Sequence, residues 1–283
     1  MKRWLLVSAA VLASVGGGIA AAVTVAGLLW DSETARSVAQ LHKRLEAKAP
    51  PFSRGDLAGL PGPVVRYFEF ALTPGQSVVR YARLRSIGEF AMRIHSWSPF
   101  TAVQNFSVEP PGFLWDARIR MATILPFYVR DGYVAGEGAL HGTLAAIVPV
   151  VNQRGTSAMA SGELLRYLAE AVFFPTALLP RGGVSWTSLP GNTARVTLAD
   201  GRTTVSCAVD FGERGEIVRI SAMRYRDADG KSGLTPWVGH WSDYHQVNGM
   251  MIPTSGEVEW MLPEGPFPYW RGRIIDAQYE FAR

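Results

Sequence analysis

The chain has 283 residues, 48% hydrophobic and 18% charged, with 9 Trp, 9 Tyr and 13 Phe, enough apolar material for a full core in one or two domains. With Lys2 and Arg3 set aside, 26 basic residues face 24 acidic ones, and no run of Lys and Arg forms a stripe, which excludes a nucleic-acid footprint. The single cysteine, Cys207, excludes an internal disulfide and a CxxC site; within TTVSCAVDF it reads as a small buried apolar side chain.

Lys2 and Arg3 precede Trp4 to Trp30, 27 positions without a charge. A helix of that length extends ~40 Å, more than the ~30 Å hydrocarbon core of a bilayer. Trp4 and Trp30 stand at its two ends, where interfacial aromatics belong. Residues 1–30 are therefore expected to be an N-terminal transmembrane anchor or uncleaved signal. Ala20-Ala21-Ala22 keeps a cleaved signal open as the alternative, and Gly16-Gly17-Gly18 weakens the helix. Lys2 and Arg3 put the N-terminus in the cytoplasm, so the rest faces the extracytoplasmic, periplasmic side, with the membrane as partner through residues 4–30. No cysteine follows the apolar run, which excludes a lipid-modified lipoprotein.

Residues 31–59 read as a stalk helix and linker, with Leu41 and Leu45 one turn apart and Pro50-Pro51 ending the helix. Residues 60–283 form the extracytoplasmic domain. Leu60 to Leu72 predicts a short helix with Val64, Phe68 and Leu72 on one stripe. From Arg83 the period changes to two. In Gly112 to Met121, Phe113, Trp115, Ala117, Ile119 and Met121 alternate with Asp116, Arg118 and Arg120, so one face is apolar and the other wet or salt-bridged. Trp97-Ser98-Pro99, Glu109-Pro110-Pro111-Gly112 and Asp131-Gly132 read as turns. Gly138 to Val151 fits either a strand or a small-residue helix. Ser161 to Pro180 is an amphipathic helix running into a proline-bounded apolar segment, and strands resume to the C-terminus through turns at Asp200-Gly201, Glu213-Arg214-Gly215, Asn248-Gly249 and Pro263-Glu264. The expected fold is α+β: a large antiparallel sheet of about eleven strands, curved as a half-barrel around covering helices.

The segments PFTAVQNF from Pro99, PPGFLWDARIRM from Pro110, GELLRYLAEAVFFPTALLP from Gly162, TPWVGHWSDYHQVNGMMIPTSGEVEW from Thr235 and LPEGPFPYWRGRI from Leu262 resemble an uncharacterised bacterial membrane-anchored domain family of unknown function. That resemblance carries no catalytic residues over. In element order, cellular side and aromatic content the layout is similar to the LolA/LppX-like exported lipoprotein and lipid carriers, which implies a half-barrel whose cavity between sheet and helices takes acyl chains.

On that reading Phe106, Trp115, Ile119, Tyr225 and Trp260 line the cavity from the sheet, and Leu164, Leu168, Val172, Phe173 and Phe174 from the helix. A polar mouth is expected from Arg118, Arg120, Glu163, Arg166, Tyr167 and Glu170. The spacing of Glu163, Arg166 and Glu170 also fits an ion-pair ladder along the helix. His240 and His245 are five apart, on opposite strand faces, and no HExxH or GxSxG occurs, so neither a metal nor a cofactor is expected. The alternative is a structural or protein-interaction domain with a filled core. An enzyme reading requires two of Glu163, Tyr167, Glu170 and His141 in one cleft.

Overall fold

Alternation of apolar and polar side chains builds almost the whole molecule. The computed structural model describes residues 2–43, 45, 48–121, 126–228 and 231–282; side chains at 2–13, 15, 16, 19, 227, 228, 231 and 232 lie outside that description. A first half comprises β1 (Val79–Arg93), β2 (Ser96–Ser107), β3 (Gly112–Arg120), β4 (Pro126–Val134), β5 (Glu137–Leu144) and β6 (Val148–Arg154). The second comprises β7 (Val184–Ser188), β8 (Thr193–Asp200), β9 (Thr203–Phe211), β10 (Ile217–Ala228), β11 (Lys231–Val247), β12 (Met250–Leu262) and β13 (Gly265–Phe281). Among the described residues the helices are α1 (Lys2–Lys43), α2 (Gly62–Ala71) and α3 (Ser157–Glu170), with short 3-10 turns besides.

All thirteen strands form one antiparallel sheet in the order β6-β5-β4-β3-β2-β1-β13-β12-β11-β10-β9-β8-β7. Each half is a meander, and the halves join at the centre where β1 pairs with β13. The sheet is open, with β6 and β7 at its edges. Between those two strands, α3 crosses the concave face and touches β3, β4 and β5 of one half and β9 and β10 of the other. Strands so far apart in the order reach one helix only if the sheet curls around it.

A row of glycines at the sheet centre permits that curl. Gly88 of β1 faces Gly272 of β13, which faces Gly256 of β12. A Cβ at Gly88 would stand 2.1 Å from the Arg271 carbonyl oxygen, and one at Gly256 would stand 2.5 Å from the Trp241 ring. Phe100, Trp270 and Trp241 lie over the three glycines, restoring the apolar contact that glycine lacks.

Thirteen strands replace the expected eleven because Gly138 to Val151, ambiguous in sequence, is the β5–β6 hairpin. Its turn uses Ala145 and Ala146 at φ 54 and 59, a left-handed conformation that alanine does not advertise. Asp131-Gly132 is not a turn but mid-strand in β4, and the chain reverses at Ala135-Gly136 instead. Gly132 is needed for close approach, since its Cβ would meet the Phe113 carbonyl oxygen at 2.6 Å. Trp97-Ser98-Pro99 likewise lies inside β2. The central helix starts earlier than expected, at Ser157, where the Thr156 hydroxyl caps it by accepting from the Met159 N–H at 3.1 Å. The turns at Asp200-Gly201, Glu213 to Gly215, Asn248-Gly249 and Pro263-Glu264 fall where expected.

The N-terminal helix α1 runs from Lys2 to Lys43 across the expected anchor–stalk boundary. Among the described residues, no helix is long and apolar enough to cross a membrane; about half of the anchor expected over residues 4–30, mostly its N-terminal part, falls on side chains outside the description. The C-terminal part of α1 docks on the convex face. Trp30 Nε1 and Thr34 Oγ1 each donate to the Asp116 carboxylate at 3.0 Å, and Arg130 donates to the Trp30 carbonyl oxygen at 2.8 Å. Arg118 pairs with Asp31 at 2.6 Å and with Asp116, and Leu41 is buried against Tyr81 and Leu114.

Candidate functional site

Helix α3 presents two different sides to the sheet. Its apolar side, Leu164 and Leu168, continues through the 3-10 turn residues Val172 and Phe173 to Phe174, and all are packed in the main core. Phe174 packs against Phe106 in a tilted pair with centroids 4.7 Å apart, and Phe173 meets Trp241 edge-on at 5.0 Å. The cavity beside Tyr167, Leu168 and Val108 holds about 10 Å³, room for about one water.

The other side carries buried charge. Arg224 of β10 donates to Glu163 Oε1 at 3.1 Å and to the Gly162 carbonyl oxygen at 3.1 Å. Arg166 donates to Asp131 of β4 at 2.5 Å and to Glu170 at 2.9 Å, and Gln104 of β2 donates to Glu170 at 2.5 Å. The Arg166 guanidinium lies 5.1 Å from the centroids of both Phe113 and Trp115. Burial, then the neighbouring Asp131 charge, raises the Glu163 pKa to about 8 against the pull of Arg224 and Arg166. Glu163 Oε2 and Asp131 Oδ1 take no other donor, and a proton shared between these carboxyls satisfies both. With Glu163 protonated, two arginines balance two carboxylates, and the buried set is neutral.

Beyond the N-terminal turn of α3 the strands run on, and the concave face is lined by half-buried rings. Tyr269 stacks on Trp260 at 5.8 Å and meets Phe90 edge-on at 5.9 Å, with Phe267 beside it at 6.5 Å. Its hydroxyl accepts from Trp237 Nε1 at 2.9 Å and from Arg224 at 3.3 Å. This half-buried aromatic cluster, called the mouth below, lies next to the buried charges, with Arg224 beneath it. On the opposite, convex face a polar groove of about 440 Å³ runs between α1 and β4–β6, lined by Glu33, Arg36, Arg130, His141, Asn152 and Arg154 among others. No group of three or more His, Cys, Asp and Glu able to hold a metal occurs among the described residues.

The model of a family of unknown function, DUF6544, matches residues 50–272, most of the chain. The chain belongs to this family. No curated protein matches it. Among solved structures it is similar to a LolA superfamily protein from Nitrosomonas europaea, at 10% identity and TM-score 0.41 over 77% of this chain and 92% of that one. A beta-barrel-like protein of DUF1849 from Brucella abortus is similar at 11% identity and TM-score 0.21 over 72% and 99%.

In this DUF6544 chain the residues expected around a cavity separate into three groups. Phe106, Trp115, Ile119, Leu164, Leu168, Val172, Phe173 and Phe174 are between 0% and 3% exposed and press on one another. Trp260 stands in the mouth. Tyr225 is on the wrong face: Ile220, Ala222 and Arg224 follow the inward parity of β10, which turns Tyr225 outward and exposed.

The expected polar mouth also divides. Arg118 and Arg120 lie on the convex face, Arg118 beneath α1 and Arg120 exposed, because the period of two sets them opposite Trp115 and Ile119. Tyr167 is buried against Phe106 and Phe174. Only Glu163, Arg166 and Glu170 come together. Of the expected ladder the Arg166–Glu170 pair forms, while Glu163 is bonded across to the sheet. Glu163 and Glu170 do converge on this cluster, whereas His141 packs against Trp30 on the other face.

Arg224, Asp131, Gln104 and Tyr269 complete the site and escape the linear reading. A signal existed for two of them. Arg224 shares the parity of Ile220 and Ala222, and Asp131 that of Val129 and Tyr133, so each is a charge at an inward position between apolar neighbours.

Proposed function

We propose that the protein is a single-pass, membrane-anchored domain on the extracytoplasmic side of the cell membrane, binding the apolar chain of a lipid-like ligand at its aromatic mouth. One observation carries this reading: Phe90, Trp260, Phe267 and Tyr269 are only half buried on the concave face beyond α3, where no helix among the described residues covers the sheet. Arg224, at the base of these rings, supplies a cation for a carboxylate or phosphate head. The uncharged run from Trp4 to Trp30, behind Lys2 and Arg3, supports the anchor and its orientation.

The test is a titration of the delipidated full-length protein, held in amphipol, with brominated palmitate. Saturable quenching of tryptophan fluorescence is expected, weakened about tenfold or more by Phe267→Asp, which places a charge among the rings. Quenching that never saturates, or that Phe267→Asp leaves unchanged, would remove the ligand.

A second reading rests on the packing along α3. The interior there is filled, as a structural or protein-interaction module of the envelope requires. It expects the same titration to be flat.

A further inference from the structure

The direction of α1 and the distribution of exposed apolar side chains point to the same edge of the sheet. In an antiparallel meander the connections alternate between two edges. The strand ends shared by β1 and β2, β3 and β4, β5 and β6, β8 and β9, β10 and β11, and β12 and β13 all fall on one edge, the edge at which the aromatic rings lie; the β8–β9 turn at Gly201-Arg202 is polar. Met92 and Ile94, Ile147 and Val148, Leu234, and Met261 stand at or near these strand ends, between 39% and 60% exposed. Turns at the opposite edge are polar or glycine-rich, as at Glu109, Gly136-Glu137, Glu213-Arg214 and Asn248-Gly249, and of the exposed large apolar side chains described only Val218, 36% exposed, stands near a strand end there.

Helix α1 runs antiparallel to β3. Leu41 packs at Leu114, Trp30 bonds to Asp116, Asp31 pairs with Arg118, and Gly27 approaches the Tyr128 hydroxyl. Moving toward the N-terminus of α1 is therefore moving toward the mouth edge. Val25, Leu28 and Leu29 are already exposed where the helix leaves the sheet. From there to Trp4 some twenty residues of helix give about 30 Å of uncharged rod, the thickness of the hydrocarbon core. Exposed Arg93 and Arg120 and half-buried Arg226 add basic side chains at the same strand ends, beside two described acidic residues, Glu264 and Asp200, the latter bonded to Tyr133. Apolar tips mixed with arginines match the headgroup zone of an anionic bilayer.

We infer that this edge rests on the membrane from which α1 emerges, with the six apolar tip residues at headgroup depth and the mouth facing the acyl chains. The inference rests on the anchor of the proposed function and is independent of whether a ligand binds. The helix continues from the apolar run into the docked segment, so the domain is held at the surface without a flexible tether.

The test uses the full chain in vesicles of phosphatidylethanolamine and phosphatidylglycerol. A single environment-sensitive fluorophore is placed through Ile94→Cys or Leu234→Cys on the mouth edge, or through Glu137→Cys or Asn248→Cys on the opposite edge. Buried Cys207 stays unlabelled in the folded protein. Flotation with the vesicles reports the anchor, and quenching by doxyl-labelled lipid reports the edge. The expected result is flotation with a blue shift and about twofold quenching at positions 94 and 234 only. A chain that floats but whose two edges are quenched equally, or not at all, overturns the docked edge while leaving the anchor. A chain that does not float overturns the anchor and this inference with it.

Discussion

Glu163 shows how one residue can be constrained by both its helix and the sheet around it. On α3 it stands one turn from Arg166, yet its partners are Arg224 and Asp131 on opposite halves of the sheet. Its folded pKa, about 8, exceeds the ordinary carboxyl value of 4.5. The stability this contributes is therefore fully present below the unfolded pKa and is lost as pH rises through the folded one. Between those limits the unfolded carboxyl ionises while the folded one keeps its proton, and stability falls by up to about 1.4 kcal/mol per pH unit. Glu163→Gln mimics the protonated acid: its oxygen still accepts from Arg224 and its amide donates to Asp131. Urea unfolding at pH 5 and pH 8 should show the variant gaining on the wild type by ~1–3 kcal/mol at the higher pH. Equal slopes with pH in the two proteins would show that Glu163 is ionised in the fold.

At the scale of elements, the glycine row and the α1 clamp do separate jobs. Gly88→Ala forces a methyl onto the Arg271 carbonyl oxygen at the β1–β13 seam, and a loss of about 1–3 kcal/mol is expected in urea unfolding. A neutral Gly88→Ala would mean the seam relaxes without cost. The clamp is addressed by Trp30→Ala, which removes the indole that donates to Asp116 and lies 4.2 Å beneath the Arg130 guanidinium. Hydrogen exchange should then accelerate through residues 27–43 while the strands keep their protection. Acceleration that spread into β3 and β4 would show instead that α1 is part of the sheet's own stability. These elements were unequally legible. The alternation in β3 predicts both of its faces, but the β5–β6 turn, built on two alanines, leaves no composition signal.

At the scale of the whole molecule, α3 joins the two meanders into one core, with apolar contacts on one side and buried ion pairs on the other. Unfolding followed by tryptophan fluorescence and by far-ultraviolet circular dichroism should therefore give coincident transitions. Two separated midpoints would show halves that melt independently. The sequence by itself determines the α+β class, eleven of the strands and most turns, the uncharged N-terminal run, the buried Cys207 and the apolar stripe of α3. Each depends on local period or composition, which a linear chain displays. Only the tertiary structure decides that Glu163 answers Arg224 rather than Arg166, that Arg118 lies under α1 rather than at a mouth, and that the cavity expected along α3 is filled. It also moves the open, ring-lined surface to the ends of the longest strands. Those outcomes depend on which distant strands the curl of the sheet brings to one helix, a geometry set by the glycine row and by the join of β1 to β13, residues about 190 apart in the chain.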